Sequence, residues 1–102
     1  MPESLLNQEH IPYPRVSIAM ATFNGERFVR EQLDSILAQS VQDFELVVCD
    51  DASTDATWEI LMDYARKDNR IRVFQNRQNL GLKKNFERAI RLCKADYIAL
   101  SD

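Results

Sequence analysis

The sequence predicts an α/β domain, ordered β-α-β-α-β-α-β around one parallel sheet, from three observations. Short, nearly continuous apolar runs occupy residues 16–21, 44–49 and 97–100, the character of strands buried on both faces. A weaker run at residues 71–74 alternates apolar and polar positions and reads as a strand nearer the sheet edge. Between these runs lie three segments whose apolar residues recur at helical spacing, and strict strand–helix alternation demands parallel strands joined by right-handed crossovers.

Each helical segment carries a single apolar stripe. The first uses Val29, Leu33, Ile36 and Leu37, at the i, i+4, i+7, i+8 positions that share one face. The second uses Trp58, Leu61, Met62 and Ala65. The third uses Leu82, Phe86, Ala89, Ile90 and Cys93, with Lys83, Lys84, Glu87, Arg88 and Arg91 displayed to water. All three stripes are expected to pack into the core and to hold no ligand.

Composition narrows the class. The 102 residues fit one domain, and 45% apolar with 28% charged residues is ordinary for a soluble globular chain. Sixteen acidic against 13 basic residues give a formal net charge of -3, so no whole-molecule positive field exists to hold nucleic acid. Cys49 and Cys93 lack a CxxC spacing and sit in apolar segments, which points to buried free thiols and a reducing, cytoplasmic setting. Residues 1–14 have neither a basic n-region nor a long apolar stretch, so they read as a tail, not as a secretion signal or a spanning segment. His10 lies in that tail and is assigned no chemistry, and residues 15–102 read as the domain.

Ligands of open parallel sheets bind beyond the carboxyl ends of the strands, so the residues just after each apolar run carry the chemistry. After the first run stand Ala21-Thr22-Phe23-Asn24-Gly25. Phe23 is placed to stack on a flat ring, Asn24 either caps the first helix or meets ligand, and Gly25 permits a tight turn. After the second run stand Asp50-Asp51-Ala52-Ser53-Thr54-Asp55. Ser53 or Thr54 is expected to cap the next helix, and Asp51 to accept hydrogen bonds from a nucleobase edge. Residues 76–84 put Gly81, Lys83 and Lys84 at a helix start, where amides and ammonium groups can meet an anion. GxGxxG and GxxxxGK[ST] are both absent, so a divalent metal is the usual alternative for neutralising phosphate.

The strings VSIAMATFNGERFVREQLDSILAQS, FELVVCDDASTDAT, NRQNLGLKKNFERAI and ADYIALSD resemble, in order and spacing, the family 2 glycosyltransferases. The resemblance covers residues 15–102 and implies a Rossmann-like, truncated GT-A fold: the nucleotide-sugar-binding first half of an enzyme that moves a sugar from a nucleoside diphosphate, UDP most of all, to an acceptor hydroxyl. On that pattern Phe23 stacks on the base, Asp51 accepts from its edge, and Asn79 to Lys84 wall the nucleotide, with Ala21 and Asn24 beside it. The family often has Thr and Tyr where this chain has Ala21 and Phe23, a change that keeps stacking and loses a hydroxyl contact. Asp102 resembles the first aspartate of the D-x-D motif, which contacts the ribose and carries Mn or Mg. The resemblance thus places the remaining metal ligand, the general base and the acceptor-binding half after Asp102. It implies an inverting, metal-dependent parent, and a fragment that lacks transfer activity, has at most weak nucleotide affinity, holds no metal firmly and self-associates through a truncated sheet edge.

Two rivals compete. A phospho-accepting receiver domain needs an acidic pair after the first strand and an Asp after the third, where this chain has Thr22-Phe23-Asn24 and Gln75-Asn76. A non-catalytic nucleotide-binding or partner-binding module is compatible with the same residues.

Overall fold

The computed structural model describes residues 14–101, so the tail with His10, and Asp102, lie outside the described residues. Four strands and three helices alternate: β1 (Val16–Thr22), α1 (Val29–Leu37), β2 (Phe44–Asp50), α2 (Thr57–Lys67), β3 (Ile71–Gln75), α3 (Leu82–Leu92) and β4 (Tyr97–Ser101). All three strand pairings are parallel, in the order β3-β2-β1-β4. Each strand runs one residue past its apolar run, because the ladder continues through the polar row Thr22, Asp50 and Gln75.

Alternation along the strands sorts the core into two layers. Ile18, Met20, Phe44, Leu46 and Val48 face α1 and α2, where Val29, Leu33, Ile60 and Leu61 meet them. Ala19, Val47 and Cys49 face α3, packed by Ala89 with Ile90, Leu92 and Cys93 at the margin. The small residues Ala19 and Ala89 let α3 lie close to the sheet, and β1 and β2 are covered on both faces as the apolar runs predict. Both cysteines are free, Cys49 buried and Cys93 half-buried.

Two packing expectations are corrected. The fourth run, read as an interior strand, is an edge of the sheet among the described residues: Tyr97, Ile98 and Leu100 are 76%, 39% and 61% exposed. An unbroken apolar run reports what a strand can bury, while the strand order decides what it does bury. Leu82 leaves the α3 stripe and stands 71% exposed at the helix start, while Asn85, a polar residue, takes the buried face one turn before Ala89. No helix among the described residues is long and apolar enough to cross a membrane.

The amino-terminal end of the sheet is pinned by a buried carboxylate. Glu45 accepts from the Ser17 hydroxyl, from the Lys94 amide, and from Arg72 Nε and Nη2 at 3.1 and 2.9 Å. Arg72 Nη2 also donates to the Leu92 carbonyl, and the Ala95 amide donates to Ser17 Oγ, so the turn between α3 and β4 hangs on this group. Burial pushes the Glu45 carboxyl up, but the bonds from Ser17, Lys94 and Arg72 outweigh it and hold the group below the ordinary carboxylate range. A depressed acid stabilises the fold above its unfolded value, about pH 4.3, and that contribution is lost as pH falls through the lower folded value. Glu45→Gln is therefore expected to lower stability by about 2 kcal/mol at pH 7. The gap to the unaltered protein should close as the solution is acidified below about pH 4, which thermal denaturation across a pH series measures.

Candidate nucleotide-binding crevice

Three loops meet at the carboxyl ends of the strands, and their side chains tie them together. The Asn24, Gly25 and Glu26 amides donate to Ser53 Oγ, Thr57 Oγ1 and Asp55 Oδ2 at 2.8, 2.8 and 3.2 Å. In return the Thr54 and Ala56 amides donate to Asn24 Oδ1 and Glu26 Oε1 at 2.8 and 3.4 Å. Asn24 thus does not cap α1, and Ser53 and Thr54 do not cap α2. Helix α1 starts five residues later, and the Thr57 amide at the start of α2 goes to Asp55 Oδ1 at 2.9 Å. The capping side chains bind across loops because the two loops run side by side, a proximity invisible along the chain.

Backbone conformation corrects the role of Gly25 as well. The left-handed residue of the first loop is Asn24, with φ of 49°, and Asn tolerates this region better than most residues. Ala52, at φ of 59°, holds the same region in the second loop. The glycine that needs its freedom is Gly81, whose φ of 92° and ψ of 157° precede α3.

The neighbouring carboxyl groups of Asp50 and Asp51 are served by separate sets of donors. Asp50 is fully buried and accepts from Thr22 Oγ1 and Ser53 Oγ, both at 2.7 Å, and from the Ser53 amide at 3.1 Å. Asp51 is 4% exposed and turns to the third loop. Its Oδ1 accepts from Asn76 Nδ2 and the Leu80 amide at 2.9 and 2.7 Å, and its Oδ2 from the Gly81 amide at 3.0 Å. Burial pushes this carboxyl up, yet the Leu80 amide, Asn76 and the Gly81 amide bring it below the ordinary range, so it stays ionised at neutral pH.

Behind Asp51 runs a buried amide relay. Asn76 Nδ2 also donates to Asn85 Oδ1 at 2.8 Å, and Asn85 Nδ2 donates to the Cys49 carbonyl at 2.8 Å. Asn76 Oδ1 in turn accepts from Arg88. Among the described residues no buried side-chain nitrogen or oxygen lacks a partner. Sequence reasoning missed Asn85, whose signal is an amide standing four residues before Ala89 on the buried stripe.

A crevice of about 480 Å³ opens against this framework, lined by Ala21, Thr22, Phe23, Asp51, Asn79, Gly81, Leu82 and Asn85. Phe23 is 53% exposed beside it, and with Leu82 supplies apolar wall. Asn79 holds its place by donating to the Asp51 carbonyl. Of the residues singled out from the sequence, Ala21, Phe23, Asp51 and Asn79 come together here, while Asn24, Lys83 and Lys84 lie outside the lining. Lys83 and Lys84 are exposed on the first turn of α3. Ser101, at the tip of β4, accepts from Gln32 Nε2 at 3.0 Å and borders a different hollow with Phe28 and Ile36. The crevice therefore belongs to the ends of β1 and β2 and the start of α3, not to the tip of β4 among the described residues.

A hollow at the opposite end of the sheet is lined by Phe44, Glu45, Arg70 and Arg72 among others. Its guanidinium groups are engaged within the fold, Arg70 with Asp68 at 2.7 Å and Arg72 with Glu45 at 2.9 Å. Among the described residues no group of three or more His, Cys, Asp or Glu stands together to hold a metal. Asp50 and Asp51 do not fit that task either, since O–H and N–H donors already fill most of their acceptor positions.

Residues 17–102 are matched by the family model described as glycosyl transferase family 2. The chain belongs to glycosyltransferase family 2. Its relatives include the putative glycosyltransferase EpsE of Bacillus subtilis (strain 168), 41% identical over 90 residues, which are 87% of this chain and 32% of EpsE. Chondroitin synthase of Escherichia coli is 35% identical over 89 residues, 87% of this chain and 13% of that protein. Residues 1–349 of TarS from S. aureus, solved in complex with UDP, share the fold with a TM-score of 0.78 at 32% identity, over 86% of this chain and 27% of that one. The mannosyltransferase PcManGT of Pyrobaculum calidifontis, solved with GDP-Man and Mn2+, gives 0.69 at 28% identity over 76% and 24%. This chain spans about a third or less of the length of the relatives it matches.

The two glycines of this family 2 chain should respond oppositely to a methyl group. An added Cβ meets nothing within 4 Å at either position, so backbone conformation alone decides. Gly81→Ala is expected to cost about 1–3 kcal/mol through its φ, and Gly25→Ala to be neutral or slightly stabilising. Chemical denaturation of the two variants measures the difference.

Proposed function

We propose that this chain is the nucleotide-holding part of a glycosyltransferase that moves a sugar from a nucleoside diphosphate sugar, of the UDP type, to an acceptor hydroxyl. The observation that carries the reading is that Phe23 and the ionised Asp51 line one crevice at the carboxyl ends of β1 and β2. Phe23 stacks on the base, Asp51 accepts an N–H from its edge, and Asn79 and Leu82 close the side of the slot. Lys83 and Lys84, on the exposed first turn of α3, add positive charge on the approach of the diphosphate. Ala21 leaves room beneath the ring, and Asn24 holds the Phe23 loop in place through Thr54.

In the reaction proposed for the whole protein, a base takes the acceptor's hydroxyl proton and the oxygen forms a bond to the anomeric carbon. The bond from that carbon to the diphosphate breaks on the opposite face, and the nucleoside diphosphate leaves with its electron pair, inverting the centre. This chain's share is to bind and orient the donor. A divalent metal would compensate charge on the leaving diphosphate, and PcManGT was solved with Mn2+. Asp102 is proposed as its ligand from the D-x-D resemblance, and no described residue is assigned to it. A cytoplasmic location is proposed from the free thiols Cys49 and Cys93, which suit a reducing compartment.

UDP is expected to bind the 102-residue chain, and Phe23→Ala to weaken it roughly tenfold, the loss typical of one base–aromatic stack. Because Phe23 is half-exposed, thermal stability should hardly change. Calorimetric titration decides; full affinity in the alanine variant would remove Phe23 from the site. Asp51→Ala is a poorer probe, since it strands the Leu80 and Gly81 amides.

We also propose self-association along β4, whose open edge is flanked by the exposed Tyr97, Ile98 and Leu100. Light scattering should show mass rising with concentration, and a strict monomer at high concentration would refute the contact.

A further inference from the structure

Asp51 brings a fixed number of acceptor positions to the crevice. An ionised carboxylate accepts about four hydrogen bonds, two at each oxygen. Oδ1 already receives two, from Asn76 Nδ2 and the Leu80 amide, and Oδ2 receives one, from the Gly81 amide. One position is left, on Oδ2.

Of the three donors, the two amides belong to the loop backbone, and only Asn76 is a side chain. Its grip is itself enforced, because the second N–H of the same amide is taken by Asn85 and its oxygen by Arg88. Asn76 is 7% exposed and Asn85 1%, so neither is free to rotate into solvent. Asn76 cannot withdraw from Oδ1 without stranding a buried donor.

Resting on the nucleotide assignment proposed above, we infer that Asn76 is a specificity-determining residue that acts through Asp51. By saturating Oδ1 it leaves the carboxylate able to accept from a base edge that offers one imide-type N–H, and unable to satisfy an edge that offers adjacent ring and amino donors. Uracil and thymine present the first kind of edge, and so does hypoxanthine. Guanine presents the second, and its 2-amino group would be desolvated against an oxygen with no position left. Asn76 touches no ligand in this scheme; it is a positioning residue whose effect is on choice of base.

The test is a titration of the unaltered 102-residue chain with UDP, TDP, inosine diphosphate and GDP. Inosine diphosphate and GDP differ only in the 2-amino group, so their ratio isolates donor count from ring size. Inosine diphosphate is expected to bind roughly tenfold more tightly than GDP, the effect of one unpaired donor, and UDP and TDP more tightly than GDP as well. Asn76→Ala, by reopening Oδ1, should bring the ratio of inosine diphosphate to GDP affinity toward one. Asn85→Ala loosens the relay but leaves Asn76 on Oδ1, so it should lower stability with the ratio preserved, which a merely structural role for Asn76 would not distinguish.

Equal binding of inosine diphosphate and GDP by the unaltered chain overturns the inference while leaving the nucleotide site standing. The same holds for an unchanged ratio in a folded Asn76→Ala protein. Should Asn76→Ala not fold, Asn76→Val takes its place, since it too withdraws the side-chain donor from Oδ1 while filling more of the space. Absence of binding by all four nucleotides instead removes the nucleotide reading itself, and this inference with it.

Discussion

The carboxylate of Asp51 is the point on which the crevice depends. Asp51 follows directly on β2 and its carboxylate reaches sideways to the loop before α3, where the Leu80 and Gly81 amides and Asn76 all donate to it. That loop has no sheet or helix of its own to hold it, so without the carboxylate its amides would need water and α3 would lose its fixed start. Gly81 completes the join: its amide is the second of the two given to the acid, and its positive φ then turns the chain into α3. A group chosen for charge thus serves first as a structural staple, and the function proposed for it uses the position that remains.

Such double duty explains how two adjacent aspartates coexist in a nearly dry interior. Asp50 is satisfied by Thr22 and Ser53 on one side of β2, and Asp51 by the third loop on the other. Alternation along the strand separates the two carboxylates, and each receives N–H or O–H donors in place of a counter-ion. The opposite end of the sheet solves the same problem differently with Glu45, which gathers the Ser17 hydroxyl and the Lys94 amide together with a counter-ion, Arg72. Between these two polar clamps lies an apolar core of ordinary composition, so the fold is pinned at both ends and packed in the middle.

Much of the fold was legible along the chain. The apolar runs of β1 and β2 and the alternating β3 reflect how many faces a strand can bury, a local property of the side chains. That Phe23, Asp51 and Asn79 would stand around one crevice was legible for a similar reason: they follow apolar runs, where a parallel sheet leaves side chains at an open end. Asn85 was not, since an amide on a helix stripe looks like a solvent-facing interruption until the carbonyl of Cys49 is placed beside it. Leu82 failed in the other sense, its spacing fitting the stripe while its position before the first full turn carries it out to the crevice.

What the sequence by itself determined was the succession of elements, most of the apolar stripe of each helix, and the chemical kinds of side chain at the strand ends. These follow from periodicity and from the types of residue, which need no partner to be known. Only the tertiary structure decided which donors meet which acceptors: Asn24 with Thr54, Asp55 with Glu26, and Asp51 with Asn76 and the Gly81 amide. It also decided that β4 pairs with β1 and lies at an edge among the described residues. Hydrogen bonds saturate and act over about 3 Å, so their pairing depends on which loops the crossovers bring side by side, and no spacing along one chain encodes that.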